Sequence, residues 1–138
     1  MKLKTDLNGS NQKDKTNTMK WITIIGDDKL TLQRIKEMKH TGAVKAYDVE
    51  ATKDRYCVEY PDGHIFYDYI TDLSDWQDIL EQIPFKATCC IMIVYTNAEN
   101  VKNELSQSDF PQSVYVDNDF KTILPLDKYI SVGMPMEE

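Results

Sequence analysis

Seven consecutive apolar residues, Cys89-Cys90-Ile91-Met92-Ile93-Val94-Tyr95, constrain this chain more than any other stretch. They do not alternate with polar residues and are partly β-branched, so they read as a central strand covered on both faces. A membrane-spanning helix needs about 20 apolar residues, far more than this run supplies. The run therefore demands strands on either side and packed layers above and below. The 138 residues are enough for one such core, and two separate cores would each be uncomfortably small.

The rest of the chain supplies those neighbours. Trp21-Ile22-Thr23-Ile24-Ile25 is short and β-branched and ends at Gly26, which predicts a first strand. Asp27 or Asp28 then caps a helix with Leu32, Ile35 and Met38 on one face, and Gly42 stops it. A second strand is expected over 44–49. Ser74 opens a capping-box pattern with Gln77, and Trp76, Ile79, Leu80 and Ile83 follow helical spacing up to Pro84. Thr96 with Glu99 offers another capping box, ahead of a stripe of Ala98, Val101 and Leu105. A strand follows over 113–116, and residues 120–124 return antiparallel across Asp117-Asn118-Asp119. The expected fold is α/β, bordering on α+β: a single domain with a mixed sheet and about three packed helices in the order β-α-β-β-β-α-β-α-β. The unit from Cys89 to Val116 is expected to be a parallel crossover. Residues 1–19 carry no apolar periodicity and are expected to be a disordered polar tail, with Met19 a conceivable second start. The domain is expected over 20–130, with 131–138 a loose end.

Two strands, over 55–60 and 65–70, flank Pro61-Asp62-Gly63, a turn sequence with a mechanism, because Pro presets φ and Gly tolerates positive φ. A two-residue Asp62-Gly63 loop would make Pro61 face His64 without an N–H to donate. A three-residue loop with a bulge at Gly63 avoids that and is preferred, pairing Tyr60 with His64 and Val58 with Phe66. The competing register would gather Tyr56, Val58, Tyr60, Ile65, Tyr67 and Tyr69 on one face, which is better patterning.

Charge is unevenly spread. Residues 1–20 hold five Lys against Asp6 and Asp14, a net of +3, which leaves −10 for the remainder of a total of −7. Asp48 to Glu81 holds ten carboxylates against Lys53 and Arg55 alone. That sign opposes nucleic-acid binding, which depends on displacing cations from phosphates. The start of the chain lacks the apolar stretch of a secretory signal, and three cysteines, two of them adjacent, do not suit a disulfide framework. Free thiols in the cytoplasm, and no membrane association, are expected.

Residues that could carry chemistry are few. Gly26-Asp27-Asp28 stands where phosphate sites occur, between strand and helix, but one glycine and two carboxylates read as a cap. Asp117 and Asp119 resemble a Mg²⁺-holding pair at a strand end, yet the later sequence lacks the further acids and lysines such sites need, so a hairpin turn is expected. Cys57, His64 and Asp68 are placed on opposite sides by the preferred register, against a thiol nucleophile. No cofactor is expected, and no zinc spacing is present around His40 or His64.

What stands out is aromatic residues interleaved with carboxylates. Tyr combined with fixed negative charge suits docking of a basic protein, with Glu59, Asp62, Tyr67, Asp68, Tyr69, Asp72 and Asp75 as the expected contacts. The function expected is thus a non-enzymatic acidic protein-binding module. In size, charge and lack of recognisable chemistry it is similar to bacterial immunity proteins, which neutralise a toxin such as a basic nuclease; the similarity is one of character and carries over no residue. The alternatives are a small Mg²⁺-dependent or nucleotide-binding enzyme using Asp117 and Asp119 or the cleft after Ile25, and a homo-oligomeric subunit such as a homodimer.

Overall fold

The computed structural model describes residues 19–119 and 122–136. Residues 1–18 of the tail expected over 1–19, and residues 137–138 of the expected loose end, lie outside them. Among the described residues seven strands form one sheet: β1 (Lys20–Gly26), β2 (Lys45–Asp48), β3 (Arg55–Tyr60), β4 (Gly63–Tyr69), β5 (Cys89–Tyr95), β6 (Tyr115–Asp117) and β7 (Ile123–Pro125). Their order across the sheet is β2-β3-β4-β5-β1-β6-β7, so the apolar run 89–95 is the middle strand, as its composition demands. The helices are α1 (Leu32–Lys36), α2 (Gln77–Leu80), α3 (Ala98–Leu105) and α4 (Leu126–Ser131), with a 3₁₀ turn at Ser74–Trp76 before α2. The expected α/β domain on a single sheet forms, richer in strand than in helix. Every neighbouring pair is antiparallel. β5 and β6 run in the same direction, as the parallel crossover expected from Cys89 to Val116 has them, with β1 inserted between them and paired antiparallel to both.

The sheet has two unlike faces. On the first, Ile22, Ile24, Val58, Ile65, Tyr67, Ile91, Ile93 and Val116 are buried beneath Leu30 and Ile35, Val101 and Leu105, and Leu126 and Tyr129, which brings α1, α3 and α4 together on this side. The second carries a smaller cluster in which Ile83, Leu73, Trp76, Ile79 and Leu80 pack on Ile25 and Cys90. Trp76, Ile79, Leu80 and Ile83 do share this cluster, but the helix expected up to Pro84 is only the 3₁₀ turn and the single turn of α2, with Ile83 beyond its end. Met92 and Val94, farther along β5 on the same face, stay half-buried. The middle strand is therefore not fully covered on both faces.

Several local expectations are corrected. The α1 cap is Thr31, whose hydroxyl accepts the Arg34 N–H at 3.2 Å; Asp27 instead folds back on the Lys29 N–H at 2.9 Å. Ser74 caps nothing, and Asp72 accepts its N–H at 3.0 Å, which holds the Asp72 carboxyl below its usual range. Asn97, not Thr96, caps α3. Gly42 is left-handed at φ 93°, but α1 has already closed at Glu37. Within the expected loose end, the described part reaches Met136, and there the Tyr129 hydroxyl and the Asn118 amide both donate to the Pro135 carbonyl, at 2.6 and 3.0 Å.

The β3–β4 hairpin takes neither weighed register. Tyr60 pairs with Gly63, Val58 with Ile65 and Tyr56 with Tyr67, so the two-residue loop is Pro61-Asp62. Pro61 leaves the ladder entirely, which removes the missing-donor objection, and the aromatic face predicted by patterning is recovered. Gly63 then sits so close to α3 that an added Cβ would lie 2.6 Å from Asn100 Oδ1 and 2.8 Å from Asn97 Cβ.

Candidate functional site: a buried polar cluster and an open sheet face

Glu104 lies on α3 between Val101 and Leu105 and is completely buried. Its carboxylate accepts from the hydroxyls of Tyr60 and Tyr67, which the hairpin register sends to the same face. His40 Nδ1 lies 2.8 Å and 3.0 Å from its two oxygens, and His40 Nε2 lies 2.8 Å from the Ile35 carbonyl. Both ring nitrogens therefore face acceptors, the arrangement an imidazolium satisfies. Burial pulls the His40 pKa down, but the Glu104 hydrogen bond and charge, the Ile35 carbonyl and Asp109 outweigh it, so the net shift is upward. Asn103 donates to the Tyr60 hydroxyl at 3.1 Å and to the Thr41 carbonyl at 2.9 Å, which ties the loop after α1 to the same cluster. Burial, then Glu104, drives both tyrosine pKa values upward, so the phenols remain donors. With the carboxylate, both phenols and both imidazole nitrogens engaged, the cluster holds α3, the hairpin and the loop after α1 together.

This cluster was not singled out from sequence. Its signal was present: Glu104 follows Val101 by three residues, within the apolar stripe of α3, where a lone carboxylate needs buried partners.

The seven expected contact residues are not brought together. Tyr67 is wholly buried against Glu104 and cannot touch a partner. Tyr69 is half-buried on the first face, with its hydroxyl 3.5 Å from Cys89 Sγ and its pKa pushed up to about 12 by that contact, burial and neighbouring charge. Asp68 is held by Arg55 through bonds of 2.6 and 2.8 Å on the second face. Glu59 accepts the Tyr47 hydroxyl at 2.6 Å. Asp62, exposed at the hairpin tip, accepts from Asn100 through its side chain at 3.0 Å and from Asn97 through its carbonyl at 3.2 Å. Asp72 and Asp75 are exposed on the segment that covers part of the second face.

The remaining candidates fare as follows. Cys57 does share the second face with His64 and Asp68, contrary to expectation, because the register differs. It is 1% exposed and burial raises its thiol pKa, the opposite of a nucleophile. Asp117 and Asp119 form the expected hairpin turn: Asp117 Oδ1 accepts the Asp119 N–H at 2.8 Å, Asp119 has φ 60°, and Asn118 clasps Thr122 across the loop. Burial raises the Asp117 pKa. Among the described residues no group of three or more His, Cys, Asp or Glu could hold a metal ion, and no helix is long and apolar enough to cross a membrane.

The second face has one extended apolar feature. Tyr47, Cys57, Phe66, Val94 and Trp21 are successive neighbours across β2, β3, β4, β5 and β1. Phe66, Val94 and Trp21 are half-buried and Tyr47 is exposed, with no described helix over them. Arg55 stacks its guanidinium 4.4 Å from the Phe66 ring centre, and His64 meets that ring edge-on at 5.1 Å. Beyond the next residues along the strands lies the covering segment 71–85, which carries Asp72, Asp75, Asp78 and Glu81, all exposed, and no Lys or Arg. Comparison with protein-family models, curated proteins and solved structures returned no match.

Proposed function

We propose that this chain is a non-enzymatic protein-binding module that seats a basic partner protein on the open stretch of its second sheet face, in the manner of an inhibitor or immunity protein acting in the cytoplasm. The observation that carries the reading is the half-exposed row Tyr47, Phe66, Val94 and Trp21, lying beside a segment with four exposed carboxylates and no cation. Apolar and aromatic anchors in a central patch supply binding energy, and charge at the rim governs encounter rate and choice of partner. The partner's basic character follows from the sign of that rim. Three buried free cysteines suit a reducing compartment.

The test uses the full chain recovered from its own cells at low and high salt, beside Val94→Glu and Asp75→Lys/Asp78→Lys variants, each checked for an unchanged amide spectrum. The wild type is expected to retain a basic protein that Val94→Glu loses and that the double variant binds more slowly at low salt. Retention of the same protein by all three chains would overturn the reading. So would concentration-dependent self-association abolished by Val94→Glu, which would make the occupant a second copy.

A further inference from the structure

A second surface feature lies away from that face, where the β1–α1 loop meets the segment entering β6. A cavity of about 210 Å³ opens there, with Leu30, Pro111 and Val114 buried along it and Lys29, Arg34 and Ser113 exposed on it. Two of its lining side chains close in on Gly26: a Cβ there would sit 2.9 Å from Leu30 Cβ and 3.4 Å from Val114 Cγ1. Lys29 and Arg34 take part in no ion pair or side-chain hydrogen bond among the described residues. The other arginine, Arg55, is fully engaged by Asp68 and Phe66. The recess is thus lined by two cations that have no ion pair among the described residues, in a chain of net charge −7. The one carboxylate on the lining, Asp27, already accepts the Lys29 N–H through Oδ1.

We infer that this recess is a binding site for a small oxyanion, a phosphate or carboxylate group held by Arg34 and Lys29 with the Ser113 hydroxyl as a third donor. Guanidinium and ammonium groups make the strongest hydrogen bonds when the acceptor is charged, and arginine matches a planar or tetrahedral oxyanion through two donors. The volume is below the roughly 300 Å³ at which pockets begin to enclose drug-sized molecules, so the ligand is an ion or the charged end of a larger molecule. A site here is independent of the protein-docking reading: it uses none of the residues of the open sheet face.

The experiment titrates the full chain with sodium phosphate, and separately with sodium acetate, against sodium chloride at matched ionic strength, following backbone amide shifts. The expected result is saturable shifts confined to Lys29, Leu30, Ser113 and Val114 with phosphate or acetate and not with chloride. Arg34→Ala is expected to weaken binding about fivefold or more, while Lys102→Ala, whose cation pairs with Glu99 elsewhere, leaves it unchanged. Preference between the two ions names the oxyanion. Shifts that do not saturate, that chloride reproduces, or that survive Arg34→Ala would overturn the site.

Discussion

His40 and Glu104, 64 residues apart, are joined through both carboxylate oxygens, and the far nitrogen of the same imidazole is fixed on the Ile35 carbonyl. His40 also has φ 50°, a left-handed backbone that a non-glycine residue adopts at a cost of about 1 kcal/mol or more. The bonds made by its ring, by the Lys39 N–H to Asp109 at 2.9 Å and by Asn103 to the Thr41 carbonyl hold the strained turn in place. One ion pair thus locks the loop that carries the chain from α1 to the edge strand β2.

That pair makes stability pH-dependent with a definite sign. The folded pKa of His40 is raised above its ordinary value of 6.5, so the folded state binds the proton more tightly than the unfolded state. The resulting stabilisation is fully present below pH 6.5 and is lost as pH rises through the folded value. Urea denaturation across this window should show it, with the His40 ring titrating above 6.5 by NMR. A His40→Gln chain should lose this component of the pH dependence; an unchanged slope would place it elsewhere.

Removal of single members of the cluster should cost unequal amounts. Tyr67→Phe deletes one of three donors to Glu104 and is expected to cost about 1–3 kcal/mol. His40→Ala leaves a buried carboxylate without its counter-charge and is expected to cost about 3–5 kcal/mol. The double variant His40→Ala/Glu104→Ala should cost less than the sum of the two single changes, measured by a double-mutant cycle in urea.

Gly63→Ala tests the close approach between the hairpin and α3. Its Cβ would fall within 3 Å of both Asn100 and Asn97, and the expected loss is about 1–3 kcal/mol in chemical denaturation. Shortening the obstruction with Asn100→Ala should recover part of that loss in the double variant. A Gly63→Ala chain as stable as the wild type would show that α3 yields freely.

The cysteines should be chemically silent in the native chain. Cys57, Cys89 and Cys90 are buried; burial raises the Cys57 thiol, and burial with the charges of Cys89 and Asp117 pushes Cys90 up to about 12. A thiol-reactive dye at pH 8 should label none of them until denaturant is added, and then all three. Rapid labelling without denaturant would mean that the middle of the sheet opens readily.

The strands were legible wherever composition matched a single environment: the run 89–95 announced the middle of the sheet, and 21–25 a buried strand. The aromatic face of the hairpin is legible in its patterning, but the preferred three-residue loop over 61–63 breaks that face and is one residue longer than the loop that forms. Pro61 was weighed as a ladder member lacking a donor, when the chain avoids the problem by turning on Pro61 and Asp62. Helix caps were less legible, because Asp27, Ser74 and Thr96 are chemically competent caps whose neighbours Thr31, Asp72 and Asn97 took up the relevant bonds. The expected contact residues failed as a set for a related reason. Composition shows that tyrosines and carboxylates interleave, but only the pleat determines which of them point inward.

Local sequence, then, determined which stretches could be strands and which sides of them had to be apolar, since alternation and β-branching act between residues a few positions apart. Tertiary structure alone decided that β1 separates β5 from β6, that Glu104 meets His40, Tyr60 and Tyr67, and that no described helix lies over the row from Tyr47 to Trp21 on the second face. These are relations between segments distant in the chain, and they are fixed by how the layers pack rather than by any single stretch.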